Sequence, residues 1–285
     1  MNLLAGLEKF GLKTEDTTNL FEEEKKTVAA SGEGKKEEVP EEGSFLLDKA
    51  IRCAVCDQVF KTKMLKNGRV KRLEPDFDLR PRYEHIDTLK YRVISCPFCG
   101  YTAMNGYFEH LSSMQRKLIK EQVCTNFKPT GCIDARILDY DEVIERYKLA
   151  LFNTIVKKGK TSEKAYVCLN LAWVLRGKLE TLDPKNPELE QERKECKEQE
   201  EAFYAQAYEG FTKAVSTENY PICGMDECTM DYLLATMSYR YKKYDVASKC
   251  IARIQQSAAA SKRIKDRAYE LKEKIVAEIK MSKQQ

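Results

Sequence analysis

An α+β fold, mostly α, in which a small four-cysteine β module precedes an antiparallel helical array, is what the sequence predicts. Three observations carry it. Two Cys-x-x-Cys pairs, Cys53/Cys56 and Cys96/Cys99, stand with 39 residues between them. Between the pairs the apolar pattern runs with the period of strands, and after Gly100 it changes to the 3.6-residue period of helices. Four domains follow: a short amphipathic segment at 1–12, a charged tether at 13–44, the cysteine module at 45–105 and the helical array at 106–282.

The first segment places Leu3, Leu4, Leu7 and Phe10 on one helical face before Gly11 interrupts it. So short a helix is marginal alone in water, which makes it a candidate tethered ligand. The tether carries Glu22-Glu23-Glu24-Lys25-Lys26 and a second charged run at 33–38, with too few apolar residues to offset the entropy of ordering.

In the cysteine module, two residues between paired cysteines let a tight turn aim both sulfurs at one point, and two such turns supply the four thiolates of a tetrahedral divalent metal. The residue after each second cysteine is Gly100 or Asp57, both of which tolerate a left-handed backbone. Zinc is the expected ion and iron the alternative, because tetrahedral sulfur suits both. Disulfides are the rival reading. The opening Met1–Phe10 lacks a basic leader and carries Glu8, so the cytoplasm is the expected setting, and metal binding outranks disulfides there. Val59–Leu65 and Arg69–Leu73 are expected to pair through Asn67-Gly68, a strong hairpin dipeptide, and Thr88–Ile94 to lead as a strand into the second knuckle. This is a zinc-ribbon arrangement whose folding energy comes largely from the metal, about 10–16 kcal/mol in small zinc domains.

Helical stripes follow. One holds Tyr107, Phe108, Leu111, Met114, Leu118 and Ile119, a second Val143 to Ile155, a third Ala165 to Leu175. Asn186 caps a long helix with Pro187 at its first position, and further helices are expected at 226–242, 245–256 and 261–281. The array resembles tetratricopeptide repeats, which place small residues where paired helices touch: Leu234, Ala235, Tyr244, Ala247 and Ile251 fit in order. So do Leu171, Ala172, Ala207, Phe211, Ala214 and Pro221 if residues 177–199 are an insertion. Ser238 stands where that pattern wants an aromatic, leaving about two degenerate repeats.

A longer resemblance spans nearly the whole chain. The run Asp76-Phe77-Asp78-Leu79-Arg80-Pro81-Arg82-Tyr83-Glu84, then Leu89-Lys90-Tyr91, Cys96-Pro97-Phe98-Cys99-Gly100-Tyr101, Tyr147–Leu151 and Leu171–Arg176 resembles the bacterial family known as domain of unknown function 2225. The opening Asn2–Lys9 is similar too. The resemblance implies a zinc-ribbon head and a tetratricopeptide-like body, with no established activity.

An enzyme is not expected. His85 and His110 are the two histidines and neither sits in a nucleophile or hydrolytic-metal pattern. Gly159-Lys160-Thr161 lacks the first glycine of a phosphate loop, with Thr154 in its place, and reads as a helix stop. A filled four-thiolate shell leaves no position for a reacting water. Asp76 and Asp78 are expected to cap the loop or pair with Arg80 and Arg82. The remaining seven cysteines read as buried or free thiols. No apolar run reaches the roughly 20 residues of a membrane span.

Two functions remain. In the first, the helical array is an adaptor whose groove binds a protein or peptide, with candidate contacts Asp78, Arg80, Arg82, Tyr83, Trp173 and Tyr244. In the second, Lys61, Lys63, Lys66, Arg69, Lys71 and Arg72 track nucleic-acid phosphates beside Phe60 and Tyr83. Residues 52–101 hold 11 Lys or Arg against 6 acids, and a four-thiolate zinc site cuts that excess from +5 to +3, which is weak for a phosphate-binding surface.

Overall fold

Two antiparallel two-stranded ladders lie side by side in the chain ahead of seven helices, in a computed structural model that describes residues 40–129 and 136–282. The amphipathic segment and the first 27 residues of the expected tether lie outside the described residues, as does Cys132. The tether's last residues, 40–44, run into a single 3-10 turn, Glu42–Phe45. Its Glu42 carboxylate accepts hydrogen bonds from Lys90 Nζ at 2.8 Å and Tyr91 Oη at 2.8 Å.

Strand β1 (Leu46–Arg52) pairs with β2 (Val59–Leu65), the register running from Leu46↔Leu65 to Arg52↔Val59. The hairpin connection is therefore the first cysteine turn. This corrects the expected pairing through Asn67-Gly68. Gly68 does take the left-handed φ of 74° that a tight turn uses, but residues 69–73 form no strand and join 82–84 by one bridge, Arg72↔Tyr83. The physical reason is competition: Lys66 N already donates to Phe45 O, extending β2 along the chain before β1. The Thr88–Ile94 strand is also corrected. Thr88–Tyr91 is a 3-10 turn capped by the Asp87 carboxylate on Leu89 N, and only Val93–Ser95 (β3) is extended, pairing with Thr102–Met104 (β4).

Helix α1 (Ser113–Ile119) starts later than its apolar stripe, at a capping box between Ser112 and Gln115. Tyr107 and Phe108 stay outside it because Tyr101 Oη engages both their carbonyls and the Phe108 ring stacks on Tyr101 with centroids 4.8 Å apart. Met114, expected in the stripe, is exposed. Then come α2 (Tyr140–Val156), α3 (Thr161–Thr181), α4 (Glu190–Thr217), α5 (Glu227–Arg240), α6 (Tyr244–Gln256) and α7 (Lys262–Ser282). The expected Asn186 cap is present, its side chain accepting from Glu188 N ahead of the 3-10 turn Pro187–Leu189 that opens α4.

Contacts fix the directions of the helices. Lys178 pairs with Asp141 and Lys157 with Glu163, so α2 and α3 are antiparallel. Ser162 meets Glu218 while Arg176 meets Glu200, so α3 and α4 are antiparallel as well. Cys228 and Ser257, with Asp231 and Arg253, set α5 against α6 in the same sense. Ala165, Ala207, Ala235 and Ala247 are almost fully buried in the helical core, and Ala165 on α3 lies directly against Gly210 on α4.

The large core runs through the helical array and takes in Leu46, Leu89, Tyr91, Val93 and Met104 from the strand region. A second, smaller core gathers Ile51, Val55, Phe60, Tyr101, Phe108, Ile119 and Val123 around the paired cysteines. No helix among the described residues is long and apolar enough to cross a membrane.

Phe211 has no exposed surface, whereas Phe152 is half exposed. Phe211→Ala should cost about 3–5 kcal/mol of unfolding free energy, and Phe152→Ala about 0.5 kcal/mol or less, as read by urea titration with unchanged slopes.

Candidate metal centre

The two cysteine turns have the same construction. In the first, Cys53 N donates to Gln58 O at 2.9 Å and Asp57 N to Cys53 O at 3.0 Å. In the second, Cys96 N donates to Tyr101 O at 2.9 Å and Gly100 N to Cys96 O at 3.1 Å. Each turn continues an antiparallel ladder without a slip, closing Arg52↔Val59 in one and Ser95↔Thr102 in the other. The residue after the second cysteine is left-handed in both, with φ of 62° at Asp57 and 73° at Gly100. Gly100 is fixed for a further reason: a Cβ there would stand 2.4 Å from the Phe127 ring that covers it. Helix α2 holds this second turn, Asn153 Nδ2 donating to Gly100 O at 3.2 Å.

The turns bring four sulfurs together. Cys53 Sγ lies 3.6 Å from Cys99 Sγ, Cys56 Sγ 3.6 Å from Cys96 Sγ, and all four lie within 4.8 Å of one another. A tetrahedron with metal–sulfur bonds of about 2.3 Å has edges of about 3.8 Å, whereas a disulfide needs about 2.05 Å. The arrangement fits a metal cage, and all ten described cysteines are free thiols. Three of the four cysteines are buried and Cys56 is half-buried. The thiols are electrostatically coupled: hydrogen bonds from Cys53 and Cys99 hold the Cys96 thiol well below its ordinary value, while those with Cys53 and Cys96 push Cys99 up. One metal ion held by the four sulfurs would replace that competition by favouring four thiolates together. Val55 N, 3.4 Å from Cys53 Sγ, is the kind of backbone donor that offsets their charge.

A fifth cysteine stands at the edge of the cage. Cys124, at the end of the single π turn Lys120–Cys124 after α1, packs against this core; burial raises its thiol, and a hydrogen bond with Cys99 acts in the opposite direction. Its distance in sequence from either pair left no signal by which spacing could find it.

The family model described as "Uncharacterized protein conserved in bacteria (DUF2225)" matches residues 46–275, which include both cysteine turns and most of the helical array. The chain belongs to that family. Among curated proteins and among solved structures, nothing matches it.

The other residues singled out in the sequence occupy the loop between the cysteine turns and the helices beneath it. Asp78 is buried, accepting from Trp173 Nε1 at 3.1 Å and Arg176 Nη1 at 2.9 Å. Asp76 pairs with Arg82 as expected, through bonds of 2.6 and 2.9 Å, but Asp78 turns to α3 rather than to a neighbouring arginine, through Oδ2 alone. Arg80 is buried and reaches Glu180 at 2.8 Å, and Arg82 binds the same carboxylate at 2.6 Å. Tyr83 and Trp173 pack in the large core, and Tyr244 donates to Glu278 on α7. The structure thus sets Asp78 with Trp173 and Arg176 in one buried group and Arg80 with Arg82 on the Glu180 carboxylate in another, both against α3, and Tyr244 stands apart from them. Sequence reading missed Glu180, Glu200 and Gly177. Glu200, 5% exposed, joins Arg176 to Arg240. At Gly177 a Cβ would stand 2.8 Å from Arg80 Nη2, Asp87 Oδ2 and Tyr140 Oη, so only glycine lets the loop approach α3.

Burial raises the Glu200 carboxyl, but hydrogen bonds from Arg240 and Arg176 outweigh it and leave the group below its ordinary 4.5. The unfolded chain then binds more protons, so this contribution is present above pH 4.5 and is lost as acid titrates the folded carboxylate. Glu200→Gln should cost about 3–5 kcal/mol at neutral pH and flatten the acid limb of the stability profile. Gly177→Ala should destabilise by about 1–3 kcal/mol, although alanine favours a helix by about 1 kcal/mol. Asp57→Val should lower the stability of the metal-loaded protein by about 1–2 kcal/mol, while Asp57→Gly leaves it within a few tenths, both measured by chemical denaturation.

Proposed function

We propose that the chain is a zinc-binding, non-enzymatic interaction protein, in which Cys53, Cys56, Cys96 and Cys99 hold a structural Zn²⁺ and the helical array receives a protein or peptide. The donor set carries the reading. Four sulfurs close around one point between two hairpin tips, and a shell filled by protein ligands has no position for a substrate or a reacting water. Zinc is preferred to iron as the ion that adds no redox chemistry to a closed structural site. The small core around the cysteines is modest, so metal binding is the natural source of its stability.

The repeat-like placement of Ala235 and Ala247 at helix contacts supports an adaptor role. A cleft of about 540 Å³ beside α4 and the end of α5 is lined by Tyr208, Tyr241, Lys243 and a Lys213–Glu209 pair, and its aromatic walls with the cation of Lys243, unmatched among the described residues, suit an acidic peptide. The cytoplasm is the proposed setting. For the nucleic-acid reading the geometry is less favourable, because half of the expected phosphate-tracking row is engaged. Lys63 pairs with Asp48 at 2.8 Å, Lys71 with Glu84 at 3.3 Å, and Lys66 donates to Ser44 O at 2.9 Å.

Elemental analysis of the purified chain should give one zinc per molecule, and Cys96→Ser should lower metal affinity at least tenfold together with the melting temperature. Stoichiometric iron, or no metal with an unchanged melting curve after chelation, overturns the metal assignment. Affinity isolation should recover a partner that Lys243→Glu loses. Capture unchanged by that substitution, or binding to single-stranded nucleic acid that falls steeply between low and moderate salt, favours the other function.

A further inference from the structure

A second feature of the fold has no part in the metal site or the proposed peptide groove. Beneath the loop that joins the two cysteine turns lies a cavity of about 280 Å³ lined by four arginines, Arg72, Arg92, Arg263 and Arg267, with Tyr166 and Trp173 in its wall and no Asp or Glu among its lining residues. Its walls come from the inter-turn loop, the start of β3, α3, the segment leading into α5, and α7, so the cations are gathered by tertiary packing.

The arginines are held in different ways. Arg267 is mostly buried and fixed by donation to Pro75 O at 2.9 Å and Asp76 O at 3.2 Å. Arg92 donates from one nitrogen to Tyr166 Oη at 3.3 Å and Asn170 Oδ1 at 3.1 Å. Glu74, exposed outside the cavity wall, pairs with Arg263 and Arg267 and neutralises one charge. The Arg72 side chain is exposed and has no hydrogen bond or ion pair among the described residues. Four cations facing one carboxylate leave an excess of three. Holding like charges this close is unfavourable unless an anion joins them, and guanidinium forks match phosphate oxygens in pairs.

A second cleft, of about 600 Å³, shares Arg92 and Tyr166 with this cavity and is walled by Met64, Met104 and Tyr107. A charged chamber opening beside a larger apolar and aromatic one fits a ligand with an anionic head and a flat or apolar body.

We infer that the arginine cavity is a binding site for a small organic phosphate, the phosphate lying among Arg72, Arg92, Arg263 and Arg267 and the organic part in the adjoining cleft. The ligand is a soluble metabolite-sized molecule, since 280 Å³ admits a head group and one further chamber receives the rest. This site is separate from the four sulfurs, and its test does not depend on the metal assignment.

Isothermal titration of the full, metal-loaded chain with phenyl phosphate and with inorganic phosphate, at matched ionic strength in chloride, tests it. Phenyl phosphate should bind at least threefold more tightly than inorganic phosphate. The double variant Arg72→Gln/Arg263→Gln should weaken it at least tenfold. Both side chains are exposed, so the melting curve of the variant should match that of the parent, and Arg116→Gln on α1 should leave affinity unchanged. Absence of binding at millimolar phenyl phosphate, equal affinity for the two phosphates, or affinity that survives the double variant overturns the inference. A double variant with a collapsed melting curve is replaced by Arg72→Gln alone, for which a loss of at least threefold supports the site and none overturns it.

Discussion

The convergence of four sulfurs from two hairpin tips is the constraint on which the strand region depends. Each ladder has only two strands, and an isolated two-stranded hairpin is barely stable in water. Placing Cys53 and Cys56 against Cys96 and Cys99 turns two weak elements into one. It also fixes both ends of the intervening loop, so that the loop has a defined course to follow over the helices. A metal at that point would act through the unfolded chain too, since closing so long a loop in advance removes much of its freedom.

Between those fixed ends the loop is seated by charge as well as by the apolar burial of Ile86, Leu89 and Tyr91. Asp78, Arg80 and Arg82 reach Trp173, Arg176 and Glu180 across about a hundred residues of sequence. Buried ions are costly when unpaired, so Asp78 and Arg80 favour a seating of the loop that brings each to its partner on α3. The sequence offered these three residues as candidate partner contacts. Asp78 and Arg80 are buried, Arg82 is half-buried, and their bonds join the loop between the cysteine turns to α3, which explains how a run rich in Asp and Arg can lie against the helices.

Much of the architecture was legible in the residues because it is locally encoded. Apolar spacing found α2 through α7, Asn186-Pro187 found the start of α4, and Asp57 and Gly100 announced the left-handed turns behind each cysteine pair. The failures have a common cause. Asn67-Gly68 is a good turn in isolation, but Val59–Leu65 had a nearer partner in Leu46–Arg52, and choice of partner is a tertiary property. Tyr107 and Phe108 carried a helical spacing and were claimed instead by Tyr101. Cys124, Glu200, Gly177 and the four arginines of the cavity share no spacing at all. Only packing of distant segments brings them to their sites.

One contact sets an order on assembly. Arg267, on the last helix, grips the carbonyls of Pro75 and Asp76, 192 and 191 residues earlier. A ribosome delivers the early loop long before the guanidinium that clasps it. The loop therefore takes its hold on α7 only once the whole array has been made. Arg263 and Arg267, two of the four arginines of the cavity, join it only with that final helix.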